Sequence, residues 1–202
     1  MELLVPRRCA GCHAPGEILC AECRRVLASP PRRVEPRVLT HVPVFALGPW
    51  SGPHREVVLE MKERGHRAIR PAIGAVVRAA VLTLAARGEI PEDIVLVPAP
   101  TSPRHARLRG GDHVTAVCRH SGYPTVQALH HLGVRDSVGL SASERRRNLS
   151  GGIALYPCVS CISPEVLLVD DVVTTGATLA ASVEALVSAG VKVRAALTLA
   201  SA

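Results

Sequence analysis

The stretch Val166-Leu-Leu-Val-Asp-Asp-Val-Val-Thr-Thr-Gly-Ala-Thr178 decides the fold class. Its first four residues form a short continuous apolar run, the pattern of a strand buried on both faces of a parallel sheet. Asp170 and Asp171 end the run, and hydroxyl residues and a glycine lead into a second apolar pattern. There Leu179, Val183, Leu186 and Val187 recur at helical spacing. Gly190 stops that helix, and Val191 to Leu199 reads as another strand. The β-loop-α-β unit places the chain in the α/β class, a parallel sheet flanked by helices.

The loop from Asp170 to Thr178 carries chemistry. Backbone N–H groups at a helix N-terminus, the hydroxyls of Thr174, Thr175 and Thr178, and the close approach permitted at Gly176, which Ala177 follows in the loop, suit a phosphate monoester. The carboxylates cannot bind phosphate directly, because like charges repel, so they accept from hydroxyls or lie near a cation. A sugar phosphate meets both demands. A merely capped helix needs one hydroxyl, Thr174 or Thr175, and not the whole set. A receiver-type acidic pocket needs an aspartate on a later strand, and none follows Asp171. The chain has no Gly-Lys-Ser or Gly-Lys-Thr of a Walker loop and no Gly-x-Gly-x-x-Gly.

Upstream, the apolar run Ile94 to Val97 stops at Pro98-Ala-Pro100, as a parallel strand stops where its site-forming C-terminal loop begins. Val42 to Leu47 reads as a strand and Pro53 to Glu63 as a short helix. Arg67 to Arg87 reads as a longer helix with Ile73, Val76, Val77, Ala80 and Leu84 on one face. Asp112 to Arg119 is expected to be helical, Thr125 to Leu129 and Gly152 to Tyr156 to be strands, and Ser141 to Arg147 a short arginine-rich helix or loop. Between the first two helices, Met61-Lys-Glu-Arg-Gly-His66 sets a cation, Lys62, beside Gly65, which suits a pyrophosphate.

A chain of 202 residues holds one α/β domain and a small appendage. Phe45, Trp50, Tyr123 and Tyr156 are its only aromatic residues, so the core is built from Val, Leu, Ile and Ala. The net charge of +7 is almost wholly arginine, since Lys62 and Lys192 are the only lysines. Arginine favours bidentate contact with phosphate, although a basic surface also serves solubility alone. No run approaches the ~18 apolar residues of a membrane span, and the N-terminus runs quickly into Pro6, Arg7, Arg8 and Cys9. A cytoplasmic protein is expected.

Seven cysteines in such a compartment point to metal ligands or small buried residues in preference to disulfides. Cys9-x-x-Cys12 and Cys20-x-x-Cys23, seven residues apart, can present four thiolates tetrahedrally, and a structural Zn²⁺ is expected. Cys158-x-x-Cys161 has only Cys118 to join it and is read as ordinary cysteines. The domain plan is thus a zinc-binding knuckle at 1–28, a proline- and arginine-rich linker at 29–41, and the main domain at 42–202.

At Asp170 to Thr178 the sequence resembles the phosphoribosyl pyrophosphate signature of type I phosphoribosyltransferases, an apolar strand followed by Asp-Asp-x-x-Thr-Thr-Gly-x-Thr. The order of cysteine knuckle, Lys62 segment, Val97-Pro98-Ala-Pro100, Arg145-Arg-Arg-Asn148 and Asp-Asp loop is similar to the ComF family over nearly the whole chain. The resemblance implies the type I phosphoribosyltransferase fold. It implies that Asp170 and Asp171 hold the ribose hydroxyls, that Thr174 to Thr178 wrap the 5′-phosphate, and that Mg²⁺ accompanies the pyrophosphate. Lys62 and Arg146 are then candidate catalytic residues, Arg146 lying where related enzymes carry a loop that closes over pyrophosphate; no general base is evident. The family further implies a role in DNA uptake, with single-stranded DNA and the uptake machinery as partners; a nucleobase salvage transferase and a regulator that senses phosphoribosyl pyrophosphate without turnover are the alternatives, since the fold does not settle among them. Arg104, Arg107, Arg109, Arg145 and Arg147 are the candidate nucleic-acid contacts. Two departures each lose an aromatic: Glu63 follows the lysine, and an Arg-Gly-Phe-Asn-Gln-like segment reads Arg109-Gly-Gly-Asp-His113.

Overall fold

The computed structural model describes residues 7–101, 111–131, 152–157 and 165–202. The expected basic contacts Arg104, Arg107, Arg109, Arg145, Arg146 and Arg147, the element at Ser141 to Arg147, and Cys158 and Cys161 lie outside the described residues.

The strands are β1 (Arg32–Val34), β2 (Val44–Ala46), β3 (Val95–Pro98), β4 (Leu129–His131), β5 (Ile153–Leu155), β6 (Glu165–Val173) and β7 (Lys192–Ser201). The helices are α1 (Ala21–Leu27), α2 (Gly52–Lys62), α3 (Arg70–Ala86), α4 (His113–His120) and α5 (Ala177–Ser188). A five-stranded sheet has the order β1-β2-β7-β6-β3, parallel throughout except that β1 pairs antiparallel with β2. β4 and β5 form a separate antiparallel pair. The class is α/β with a mostly parallel mixed sheet, as the strand patterns required.

Period-2 alternation divides the core between the two faces of the sheet. On β6, Leu167 and Val169 face one cluster with α2, α3 and α4, contributed by Val58, Met61, Ile73, Val77, Leu84 and Val117. Val166 and Leu168 face the other, where Leu179, Val183 and Leu186 of α5 meet Leu129 and Ile153 of the small sheet. The alternation on β7 breaks once: the pairing runs Val166 with Val193 and then Leu167 with Ala195, skipping Arg194. The helix from Arg67 to Ala86 is long and apolar enough to cross a membrane, with a mean hydropathy of 1.6, and half of it is buried within the fold. Arg67, Arg70 and Arg78 interrupt its apolar residues, so the sequence marks the helix and its length but shows no continuous apolar run.

Several boundaries differ from the sequence reading. The stretch read as a linker carries β1, because Arg32, Arg33 and Val34 find open hydrogen-bonding positions on the edge strand β2. The knuckle is not a detached unit: Cys9, Leu19, Cys23 and Leu27 belong to the same core as α2 and α3. In place of a strand from Thr125 to Leu129, Thr125 makes one bridge to Leu96 and β4 begins only at Leu129, where β5 offers a partner. Val187 is 55% exposed, since it falls at the edge of the stripe centred on Leu179, Val183 and Leu186.

Candidate functional site

The expected long loop after β6 is shorter than the sequence suggested. β6 continues through both aspartates to Val173, because β7 is long enough to pair Asp170 with Thr198, Val172 with Ala200 and Val173 with Ser201. Only Thr174 to Gly176 remain as a turn before α5. Both carboxylates therefore sit on a strand, and adjacent strand residues point to opposite faces.

Asp171 points to the α2 and α4 side. It is buried, its Oδ2 accepts from His113 Nε2 at 2.8 Å, and Lys62 Nζ lies 3.1 Å from the same oxygen. Asp170 points to the α5 side. It lines a small hollow of about 30 Å³ with the turn and the first residues of α5, Thr174, Thr175, Gly176, Ala177 and Thr178. Its Oδ1 accepts the Asp171 backbone N–H at 2.8 Å. A cleft of about 460 Å³ joins the two sides and is lined by Trp50, Lys62, Thr101, His113, His131, Asp170, Asp171, Thr174 and Thr178, among others.

These environments split the pair electrostatically. Burial, and then the neighbouring charge of Asp171, push the Asp170 carboxyl up to about 8. Burial also acts to raise Asp171, but the His113 hydrogen bond and the Lys62 ammonium outweigh it and hold Asp171 below its ordinary range. Asp170 is thus the carboxyl that gains most from a nearby cation or a hydroxyl donor.

Gly176 needs to be glycine on two counts. Its φ is +87°, and a Cβ there would lie 2.5 Å from Cβ of Pro36. The segment after β1 passes over the turn, and the Val38 N–H donates to the Thr175 carbonyl at 2.8 Å. Thr174, Thr175 and Thr178 remain exposed at the helix N-terminus, where Thr175 Oγ1 accepts the Ala177 N–H at 3.3 Å. Gly65 lies in the turn after α2 at φ +63° and is not among the residues lining the cleft.

Sequence reasoning missed His113, Trp50, Thr101 and His131. The signal for His113 was present: Asp112 caps α4, accepting from Val114 N at 3.0 Å and Thr115 N at 3.4 Å. The other Asp112 oxygen accepts from Thr115 Oγ1 at 2.7 Å. The cap puts residue 113 in the first turn, where its ring reaches Asp171. Thr101 reinforces the arrangement by donating to Asp112 Oδ1 at 3.0 Å.

The second site is the cysteine cluster. The sulfurs of Cys9, Cys12, Cys20 and Cys23 all lie within 4.8 Å of one another, so the four could hold a metal ion such as zinc. Cys12 and Cys20 Sγ are 3.7 Å apart, close to the ~3.8 Å edge of a tetrahedron with ~2.3 Å zinc–sulfur bonds. The N–H groups of Gly11 and Cys20 each approach Cys9 Sγ at 3.4 Å. Burial opposes ionisation of Cys9, but these N–H groups and that of Cys12 prevail and bring its thiol down to about 6. Gly11 packs on the cluster so closely that a Cβ there would stand 2.8 Å from Cys23 Sγ. His13, the residue after Cys12, contacts Glu56 of α2 at 3.2 Å.

Comparison with protein-family models and with curated proteins gives no match for this chain.

Proposed function

We propose that the cleft binds phosphoribosyl pyrophosphate with Mg²⁺, and that the protein is a phosphoribosyltransferase-related protein of the ComF type. The observation that carries this reading is the joining of two half-sites in one cleft: a carboxylate pair on the central parallel strand, and a hydroxyl-rich turn at a helix N-terminus immediately after it. A sugar phosphate needs hydroxyl acceptors and a phosphate cradle within one ligand's length, and the chemistry of Asp170 and of Thr174 to Thr178 matches that need. Lys62 in the same cleft supplies positive charge for a diphosphate. Mg²⁺ would be served by Asp170, whose ionisation a cation favours. In the cysteine cluster the bound ion would be zinc, on the strength of four soft thiolate donors and the tetrahedral spacing.

Single-stranded DNA handling at the cytoplasmic side is the process this reading serves, with the uptake machinery as protein partners. One observation favours a second reading, nucleobase salvage: the rings of Trp50 and His131 line the cleft beside the carboxylates, where a planar acceptor would stack.

Calorimetric titration of phosphoribosyl pyrophosphate with Mg²⁺ into the metal-loaded wild type and Asp170→Asn tests the proposal. Binding is expected in the wild type and is expected to weaken about 10- to 200-fold in the variant, since hydrogen bonds to a charged acceptor contribute roughly 1.5–3 kcal/mol. Absence of binding by the folded wild type would sink it. Adding single-stranded DNA or free nucleobases as second ligands separates the two roles: DNA handling predicts salt-sensitive DNA binding, and salvage predicts pyrophosphate release with one base.

A further inference from the structure

His113 is 1% exposed and sits at the start of α4, fixed by the Asp112 cap. Its Nε2 meets Asp171 Oδ2 at 2.8 Å, while its Nδ1 is buried without a partner. An ionised carboxylate only accepts, so the proton of this contact is on Nε2, and the ring's one hydrogen bond in the fold is spent on Asp171. Lys62 Nζ approaches both oxygens of the same carboxylate, at 3.1 Å and 3.4 Å. Asp171 is thereby engaged from α2 and from α4. Asp170, on the opposite face of β6, uses Oδ1 for the next backbone N–H and borders the hollow at the start of α5.

We infer that His113 is a positioning residue: together with Lys62 it clamps Asp171, so that the sugar-hydroxyl contact of the ligand falls mainly on Asp170. The inference rests on the reading of the cleft as a phosphoribosyl pyrophosphate site and refines it, because it makes the two aspartates unequal. Asp171 acts as the anchor that fixes this end of β6 against α2 and α4. Asp170 acts as the ligand-facing acceptor. Histidine suits the anchor's partner because a rigid buried ring holds one N–H in one direction at little entropic cost, and Gln offers the nearest substitute donor at similar reach.

The test uses the full chain with its metal, in wild-type form and as His113→Leu, His113→Gln, Asp171→Asn and His113→Leu/Asp171→Asn. Binding of phosphoribosyl pyrophosphate with Mg²⁺ is measured by calorimetry, and folding is checked by thermal melting. His113→Leu is expected to weaken binding about 10- to 50-fold, the loss of one charge-assisted hydrogen bond, and His113→Gln to restore it to within about fivefold of wild type. In the Asp171→Asn background the leucine change is expected to cost little further affinity, a coupling that a purely packing role would not produce. Asp171→Asn itself is expected to bind more tightly than Asp170→Asn. Wild-type affinity in His113→Leu, equal losses for leucine and glutamine, or additive losses in the double variant would each overturn the clamp while leaving the ligand assignment intact. Histidine ¹⁵N spectra of the ligand-free protein supply a separate arm: an Nε2–H tautomer for His113 that is perturbed in Asp171→Asn is expected, and an Nδ1–H tautomer overturns the clamp whatever the ligand. Failure of the wild type to bind defeats the functional reading and, with it, the division of labour between the aspartates.

Discussion

The cysteine cluster and the carboxylate cleft are built in opposite ways. All four thiols come from one short stretch between Cys9 and Cys23, the first pair set around a turn and the second at the start of α1. In the cleft, Lys62 and Asp171 meet across 109 positions of sequence, and His113 and Asp171 across 58. A site assembled from local spacing can be read residue by residue. A site assembled across a sheet depends on which face each strand residue takes and on what the helices bring to that face. The two are nevertheless joined, since the knuckle packs on α2 and α2 ends in Lys62.

The largest expected effect is at the local site. Cys12 is exposed, so Cys12→Ser removes a ligand without opening a cavity in the core. Bound metal is expected to fall from one ion per chain to none by elemental analysis, and Tm to fall on the order of 10 °C, because metal binding supplies folding free energy. An unchanged Tm would mean that the shared core holds the knuckle without metal, and the contrast between the two sites would lose its energetic basis.

Gly176→Ala probes the distributed site at its tightest point. The left-handed φ and the clash with Pro36 are expected to destabilise the protein by roughly 2–4 kcal/mol in urea unfolding. A loss below about 0.5 kcal/mol would show that the segment from Pro36 to Val38 yields readily, leaving the turn uncovered in solution.

Asp170 gives a pH signature with a definite sign. Its folded value is raised to about 8 by burial and by Asp171. Below about pH 4 both folded and unfolded states hold the proton; between about pH 4 and 8 the folded state keeps a proton that the unfolded state has released, so its contribution to stability falls as pH rises. Asn keeps an Oδ1 acceptor for the Asp171 N–H. Asp170→Asn is therefore expected to be close to neutral at pH 4 and to stabilise the ligand-free protein by roughly 1–3 kcal/mol at pH 8, measured by denaturant unfolding. Equal stability of variant and wild type at pH 8 would contradict the inequality of the two aspartates.

The smallest effect is expected at the cap that delivers His113. Asp112→Ala removes the acceptor for two backbone N–H groups and is expected to cost about 1 kcal/mol. Its use is comparative: a much larger loss would mean that the cap holds the cleft together and not α4 alone.

Much of the fold was legible in the sequence because burial leaves a periodic trace. The continuous run at Val166 to Val169, the helical spacing from Ile73 to Leu84 and the glycine after α5 each reappear as β6, α3 and the end of α5. What failed depended on partners elsewhere in the chain. Residues 32–34 became a strand because β2 presented an edge, and β6 outran its apolar run because β7 paired with it as far as Ser201. Asp170, Asp171, Lys62 and the hydroxyl turn were singled out by residue type. His113 was not: the Asp112 cap marks the start of α4, but only the ring's distance to Asp171 shows that the first residue of that helix belongs to the cleft.

By itself the sequence determined the α/β class, the strand and helix that carry the hydroxyl-rich turn, and the thiol quartet, because apolar periodicity and short-range spacing are local properties of the chain. Tertiary structure alone decided that the two aspartates face opposite sides of the sheet, that Lys62 and His113 engage one of them, and that Pro36 covers Gly176. Those are consequences of strand register and helix placement, which arise only when segments far apart in the chain pack against one another.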